Sequence, residues 1–299
     1  MWSKPNLPSF DYVKPGSRAE VVDLLQRHGY SARLMMGGTD LFMRMRQGAV
    51  HPAVVVDLKG LPRICDIQCD QATGCTIGAA ATMNQVAAHP GVSQHYAILS
   101  QAARSVASYP IRNRATLGGN ACNGSPCADT SPALLALEAK MVIHGPQGQR
   151  TIAAKEFFSG PGQTALVPGE FLVAIRLPKP LSGSVGTYRK LGRSKAGDLA
   201  LVGVAVLGFP AEQQASGYGF RIALGSVAPV AVRATEAERL LASNSPGEEA
   251  FAAAAEKAMQ LATPISDVRA SAAYQKAMVQ TLTLRGLTDV WAQVRGRQT

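Results

Sequence analysis

Two short stretches of the chain set a glycine pair directly before small polar side chains. The first is Met35-Met36-Gly37-Gly38-Thr39-Asp40-Leu41 and the second is Ala115-Thr116-Leu117-Gly118-Gly119-Asn120. Glycine permits positive φ and lets the main chain approach a ligand closely. Successive backbone N–H groups in such a turn converge on one concavity, which attracts phosphate. Thr39 and Thr116 add hydroxyl donors and Asn120 an amide donor, and a helix that starts after the loop adds its positive end. Two such loops on different units could grip the two phosphates of a dinucleotide between them. Each pair could equally be an ordinary tight turn in a chain with 29 glycines. Neither matches the Gly-x-Gly-x-x-Gly fingerprint or the lysine-bearing phosphate loop, which disfavours both common nucleotide folds.

The elements that would carry these loops follow from hydrophobic pattern. Phe10–Val13 reads as extended, and Ser17 with Glu20 forms a capping-box signature for a helix that buries Val21, Val22, Leu24 and Leu25 and stops near Gly29. Arg33–Met36 reads as a strand running into the first glycine pair, and Ala53–Asp57 as a buried strand. Cys75–Ala79 opens a second unit with helices at Thr82–His89 and Tyr96–Ser108, a hairpin formed by Met141–His144 and Gln149–Ala153, and a strand at Glu170–Leu177. A third part has strands at Val185–Leu191, Leu199–Phe209 and Tyr218–Leu224, then helices at Ala234–Ala242, Glu248–Leu261 and Ser271–Leu284. Three strands followed by three helices predict a separate α+β layer. The expected divisions are residues 1–60, 61–177 and 178–299, with Pro178–Gly183 as linker.

Composition narrows the function classes. The net charge of +10 is spread over both halves: 15 Lys+Arg against 11 Asp+Glu in residues 1–175, and 15 against 9 in the rest. Without basic runs or interleaved aromatics, nucleic acid is not an expected partner, and an anionic cofactor or acidic partner is. No apolar stretch approaches the ~20 residues of a membrane helix. Met1, Trp2, Ser3, Lys4 and Pro5 do not begin an export signal, which predicts a cytoplasmic protein. Five cysteines argue against a disulfide framework. Cys65, Cys69 and Cys75 fall short of the four thiolates that iron–sulfur clusters generally use, and are expected as buried free thiols. His28, His51, His89, His95 and His144 are scattered and complete no nucleophile–base pair.

The block Arg112-Asn113-Arg114-Ala115-Thr116-Leu117-Gly118-Gly119-Asn120, continued by Asn123-Gly124-Ser125-Pro126-Cys127-Ala128-Asp129-Thr130-Ser131-Pro132, resembles the FAD-binding subunits of molybdenum hydroxylases. Met36-Gly37-Gly38-Thr39-Asp40-Leu41 is similar to that family's other signature. Likeness continues through Ile77-Gly78-Ala79, Lys190, Arg193, Asp198-Leu199-Ala200, Ala228–Arg233 and Asp267–Tyr274, so it spans nearly the whole chain. The resemblance implies an α+β fold of the vanillyl-alcohol-oxidase-like type: two subdomains with FAD between them, then a C-terminal domain with a three-stranded sheet and helices. It implies FAD held by Met36, Gly37, Gly38, Thr39, Asp40 and Leu41 on one side and by Thr116, Gly118, Gly119, Asn120 and Ser125 on the other, and with no histidine in either loop that FAD is expected to be non-covalent. Asp129 matches an acidic position aimed at FAD ribityl or ribose hydroxyls, although a helix N-cap is an alternative use for it. Lys190 matches a basic position near the isoalloxazine ring, where a cation would favour the anionic reduced flavin. A solvated lysine on a strand edge remains the alternative.

The same resemblance implies partners. A large subunit with molybdenum–molybdopterin would oxidise the substrate, and a small subunit with two [2Fe-2S] clusters would relay electrons to this chain's FAD. The FAD would pass them to NAD, a quinone or another acceptor, in an assembly expected as a dimer of heterotrimers. A stand-alone flavin oxidase or reductase is the alternative, and a flavin-free binding protein that keeps the fold is a third.

Overall fold

The computed structural model describes residues 7–194 and 197–296. Met1, Trp2, Ser3, Lys4 and Pro5 lie outside the described residues. The first sheet is parallel, in the order β1 (Asp11–Val13), β3 (Val54–Asp57), β2 (Ala32–Met35). Helix α1 (Arg18–His28) lies between β1 and β2 and turns Val21, Val22 and Leu24 inward, leaving Leu25 half-buried. Its N-terminus forms half of the expected capping box. Ser17 Oγ accepts from Glu20 N at 3.2 Å, but the Glu20 carboxylate accepts from Gly16 N instead of Ser17 N. After the first glycine pair comes α2 (Thr39–Arg46), a helix that the sequence pattern does not announce.

The second sheet is antiparallel, in the order β4 (Ile67–Asp70), β5 (Gly74–Gly78), β10 (Phe171–Leu177), β6 (Lys140–Gly145), β7 (Gly148–Ala153). Short helices separate its two halves: α3 (Met83–Ala88), α4 (Pro90–His95), α5 (Ala97–Ser105), α6 (Tyr109–Arg112), α7 (Leu117–Asn123) and α8 (Thr130–Ala136). Thr82 and Gln85 make a complete capping box at the start of α3. Helix α9 (Ala154–Phe157) and the ribbon of β8 (Phe158–Gly160) and β9 (Gln163–Thr164) lead into β10. One rung, Ile67–Ile77–Ile175–Met141–Ile152, crosses all five strands.

Register also decides the cysteines. Cys69 stands opposite Cys75 across β4 and β5, and the two form a disulfide, while Cys65 is exposed. The expectation of three buried free thiols is therefore corrected. Sequence spacing of six does not show that a tight hairpin brings the pair together.

The third sheet is antiparallel, β11 (Val185–Leu191), β12 (Val202–Pro210), β13 (Tyr218–Gly225), β14 (Val232–Arg233), covered by α10 (Thr235–Ser243), α11 (Glu248–Leu261) and α12 (Ala272–Gly296). It has four strands where three are expected, because the two-residue β14 is too short to carry a pattern. Helix α12 runs past the expected end at Leu284. Gly286 lies within it where the helix presses on β12: a Cβ there would come 2.9 Å from a Val206 methyl. Val279, Leu282, Leu287, Val290 and Val294 of α12 share a core with Val204, Val206 and Ile222. A larger core joins the first two sheets and the helices between them. No helix of the described residues is long and apolar enough to cross a membrane.

Ile77 sits fully buried at the second position of the five-strand rung. Ile77→Ala should cost about 2–5 kcal/mol, a transfer loss plus a cavity, and lower the thermal midpoint by roughly 5–15 °C. Circular dichroism during heating measures it. A midpoint that stays put would mean that this rung does not organise the sheet.

Candidate functional site

A cleft of about 520 Å³ is lined by residues of both glycine loops and by Gly197, Asp198 and Leu199 of the third layer. Its first wall begins where β2 ends. Gly38 has φ 74°, a left-handed conformation suited to glycine, and it is the N-cap of α2. Having no side chain, it leaves the N–H groups of the first turn without a side-chain cap. Met36, Gly37, Gly38, Thr39, Asp40 and Leu41 all line the cleft there, so the positive end of α2 opens onto it. Asp40 lies in that first turn and brings its own negative charge.

Gly37 is a glycine for a different reason. A Cβ would fall 2.1 Å from the Arg114 carbonyl oxygen, so the main chain of the first loop lies directly on that of the second. The first loop is held from behind by Lys59, whose Nζ donates to Met36 O at 2.8 Å and to Asp57 Oδ1 at 2.7 Å. Tyr12 donates its hydroxyl to the other Asp57 oxygen. Burial raises the Asp57 carboxyl, but hydrogen bonds from Lys59 and Tyr12 outweigh it and hold the group below its usual range.

The second wall differs from the expected backbone cradle. Leu117 N donates to Ala81 O and Gly118 N to Ala79 O, while Met83 N donates to Ala115 O, so residues 115–118 pair with the segment after β5. Gly119 N donates to Thr116 Oγ1 at 3.1 Å and Asn120 N to Thr116 O. The Leu117 and Gly118 amide groups are thus committed to the segment beneath, and those of Gly119 and Asn120 to Thr116. What lines the cleft is Thr116, Gly119, the Asn120 side chain, Ser125 and Asp129. Asn120 Oδ1 accepts from Thr130 Oγ1 at 2.6 Å, which leaves the amide nitrogen as its donor. Gly118 is not in the walls: a Cβ would strike Ala79 at 2.6 Å, so this glycine serves packing beneath the loop.

Lys190 is not in the walls either. Its Nζ donates to Asp129 Oδ2 at 2.8 Å and to Ser105 O at 2.9 Å. Asp129 occupies the N-cap position of α8, yet its side chain makes no capping bond. It is 5% exposed, and its other oxygen accepts from the Tyr188 hydroxyl at 2.8 Å. Burial pushes its carboxyl up, and Lys190 and Tyr188 offset this only in part. Sequence reasoning missed the cleft residues Arg33, Arg44, Cys122, Cys127 and Leu172. Arg44, one helical turn beyond Asp40 on α2, is the one that periodicity could have found once the helix was recognised. Among the described residues no histidine lines the cleft.

These features fit a ligand with phosphates at one end and hydroxyls at the other, and comparison with known proteins agrees. Residues 8–180 match the model described as the FAD binding domain in molybdopterin dehydrogenase, and residues 186–290 match the CO dehydrogenase flavoprotein C-terminal domain. The chain is 35% identical to the carbon monoxide dehydrogenase medium chain of Hydrogenophaga pseudoflava, over 96% of this chain and 98% of that one. It is 31% identical to the xanthine dehydrogenase FAD-binding subunit of Escherichia coli O157:H7, over 96% and 97%. A solved carbon monoxide dehydrogenase from Hydrogenophaga pseudoflava, which lacks the Mo-pyranopterin moiety of the molybdenum cofactor, matches with TM-score 0.91 and 35% identity over 96% of this chain and 99% of that one. Quinoline 2-oxidoreductase from Pseudomonas putida 86 matches with TM-score 0.88 and 29% identity over 97% and 99%. The α+β architecture, the two-walled cleft and these likenesses together make the chain a member of the FAD-binding flavoprotein subunits of the molybdenum hydroxylase family, an oxidoreductase subunit with FAD as its cofactor.

Proposed function

We propose that this subunit passes electrons from the [2Fe-2S] clusters of a small partner subunit, by way of its FAD, to an external acceptor such as NAD or a quinone. A large molybdopterin-binding partner oxidises the substrate, and the assembly is a dimer of heterotrimers. The observation that carries this is the cleft itself, with the uncapped end of α2 at one side and the buried Asp129 at the other. That polarity suits a dinucleotide held for its redox group rather than a substrate held for acid–base attack. FAD, when bound, supplies exchange of electrons singly and in pairs.

The chain's own residues do the holding. The main chain of Gly37, Gly38, Thr39, Asp40 and Leu41 would receive phosphate, with Met36 beneath it against Thr116. Thr116, Asn120 and Ser125 would donate from the opposite wall, and Gly119 keeps that wall thin. Asp129 would accept from ligand hydroxyls. We read the division into residues 1–60, 61–177 and 178–299 as two halves of the cleft and a third layer that closes it, in a cytoplasmic complex.

The FAD should be non-covalent, since no histidine stands on the cleft among the described residues. Acid precipitation should release all the flavin to the supernatant; a washed pellet that stays fluorescent would contradict it. Gly38→Val demands φ 74° of a β-branched residue and drives its Cβ to 2.9 Å from the Phe42 ring. With about 1–3 kcal/mol of strain at the phosphate loop, FAD affinity should drop roughly 5- to 150-fold, read by flavin fluorescence. Gly16→Val, where nothing lies within 4 Å, is the control. If both variants keep full affinity, the phosphate end has been misplaced.

The partnership has its own test. Co-expression with the two partner chains should give a copurifying complex whose flavin absorbance bleaches with substrate, whereas the subunit alone should turn over no organic substrate. Turnover by the subunit alone at about 1–10³ per second would replace the electron-relay reading with a stand-alone oxidase.

A further inference from the structure

We propose that the outer face of the five-stranded sheet carries a second binding site, separate from the cleft, for a phosphate group: either the free ion or the end of a small phosphorylated metabolite.

A hollow of about 270 Å³ lies on that face and shares no lining residue with the cleft. Three arginines from separate parts of the chain line it: Arg18 at the start of α1, Arg63 in the turn before β4, and Arg176 on β10. Its buried floor is made by Gly78, Val142 and Val173. Asp66 is the single acid in the lining, 3.5 Å from Arg63 Nε, so cations outnumber acids there by three to one. Pockets for drug-sized ligands hold about 300–1,000 Å³. The smaller volume suits a compact anion rather than a dinucleotide.

Sheet register explains why charge collects on this face. Side chains alternate between the two faces of a strand, so the rung beside the buried isoleucines points outward. That rung runs Gln68–Thr76–Arg176–Lys140. Arg176 and Lys140 stand directly opposite each other on β10 and β6, and like charges so placed destabilise the pairing. Neither has an ion-pair partner among the described residues. An anion held by Arg176 would offset that repulsion.

The neutral groups are arranged as donors. Gln68 Oε1 accepts from Arg63 Nη2 at 2.5 Å, and Gln149 Oε1 accepts from Arg18 Nη1 at 3.3 Å. Each glutamine commits its oxygen to an arginine, which orients the guanidinium without neutralising it and leaves the amide NH₂ as a donor. Thr76 adds a hydroxyl. Guanidinium forks match phosphate oxygens two at a time.

Arg63 also occupies a backbone conformation that disfavours it. Its φ of 59° is left-handed, a region that costs most residues with a side chain. The turn is pinned on β5: Gly78 N donates to Asp66 O at 2.7 Å and Ala80 N to Ile64 O at 2.8 Å. A Cβ at Gly78 would come 2.3 Å from Ile64 O, so the turn lies directly on the strand. Strain held in place by its surroundings in this way is a mark of binding positions.

The test is isothermal titration calorimetry on the full-length, FAD-loaded subunit, with inorganic phosphate and glycerol phosphate as the two probes. At least one should bind with a dissociation constant of about 1 mM or below, and the affinity should weaken as salt rises. Arg176→Met should weaken binding about tenfold or more, the order of one charge-assisted hydrogen bond, with flavin absorbance per protein at the wild-type value. Arg63→Gly should lose a similar factor, and it decides the matter if Arg176→Met does not fold. Glycine takes φ 59° without strain, so this variant removes the guanidinium at no backbone cost. Arg27→Met, which removes an exposed charge in the last turn of α1, is the control and should bind as wild type does. Tighter binding of glycerol phosphate assigns the site to a phosphorylated metabolite; equal or weaker binding assigns it to the free ion. No heat with either probe, wild-type affinity in both arginine variants, or an equal loss in Arg27→Met would overturn the proposal.

Discussion

The cleft depends on one close approach, the main chain of Gly37 laid on the Arg114 carbonyl. Any side chain at position 37 would push the first loop off the second, because the atom it meets belongs to backbone. That contact sets where β2 must stop, and so where α2 begins and which way its first turn points. The rest of the first layer serves to keep the loop there. Lys59 grips Met36 O, Asp57 grips Lys59, and Tyr12 reaches across the sheet to Asp57. Met36 in turn fills the space under Thr116, whose hydroxyl lies 3.8 Å from its sulfur. A bulky methionine in a glycine loop is thus packing between the walls rather than an obstacle to the ligand.

Much of this was legible in the sequence because glycine pairs, caps and apolar periods are local signals. Thr82 with Gln85 shows it well: a three-residue spacing is the whole physical cause of the cap. The hairpin around Pro146 and Gln147 also follows from nearby residues, with Gly148 taking positive φ at its exit. What could not be read depends on partners distant in the chain. The two glycine pairs look alike in letters, yet in the second the Leu117 and Gly118 amides are taken up by the carbonyls of Ala81 and Ala79 beneath it. Lys190 points at Asp129 because β11 packs on α5, a contact between residues more than eighty positions apart. Helix α2 was missed for a simpler reason: it is only eight residues long, and its stripe of Leu41, Phe42 and Met45 buries just Met45 fully.

The third layer is fastened to the second by charge as well as by its sheet. Arg221 and Arg233 both pair with Glu138, just beyond α8, and Arg233 also pairs with Glu238 of α10. Both guanidiniums are largely buried and costly to desolvate, while Glu138 is half exposed and only the Arg233–Glu238 pair is sheltered on both sides. Their carbonyl partners at Leu135 and Ala136 add hydrogen bonds that help offset that cost. The result ties α8, whose N-cap is Asp129, to the sheet that carries Tyr188 and Lys190.

Two carboxylates with the same kinds of neighbour behave in opposite ways. Asp57 and Asp129 are each buried, and each takes a hydrogen bond from one tyrosine and one lysine. Asp57 also accepts from the Lys59 main-chain N–H, and its carboxyl is held low; its oxygens are committed to keeping a loop in place. Asp129 takes no main-chain hydrogen bond among the described residues, and burial pushes its carboxyl up because Lys190 and Tyr188 offset it only in part. A group left in that condition gains from any further donor that enters the cleft, because each one offsets part of the cost of burial. Incomplete satisfaction inside the protein is therefore what suits Asp129 to a ligand, and full satisfaction is what suits Asp57 to structure.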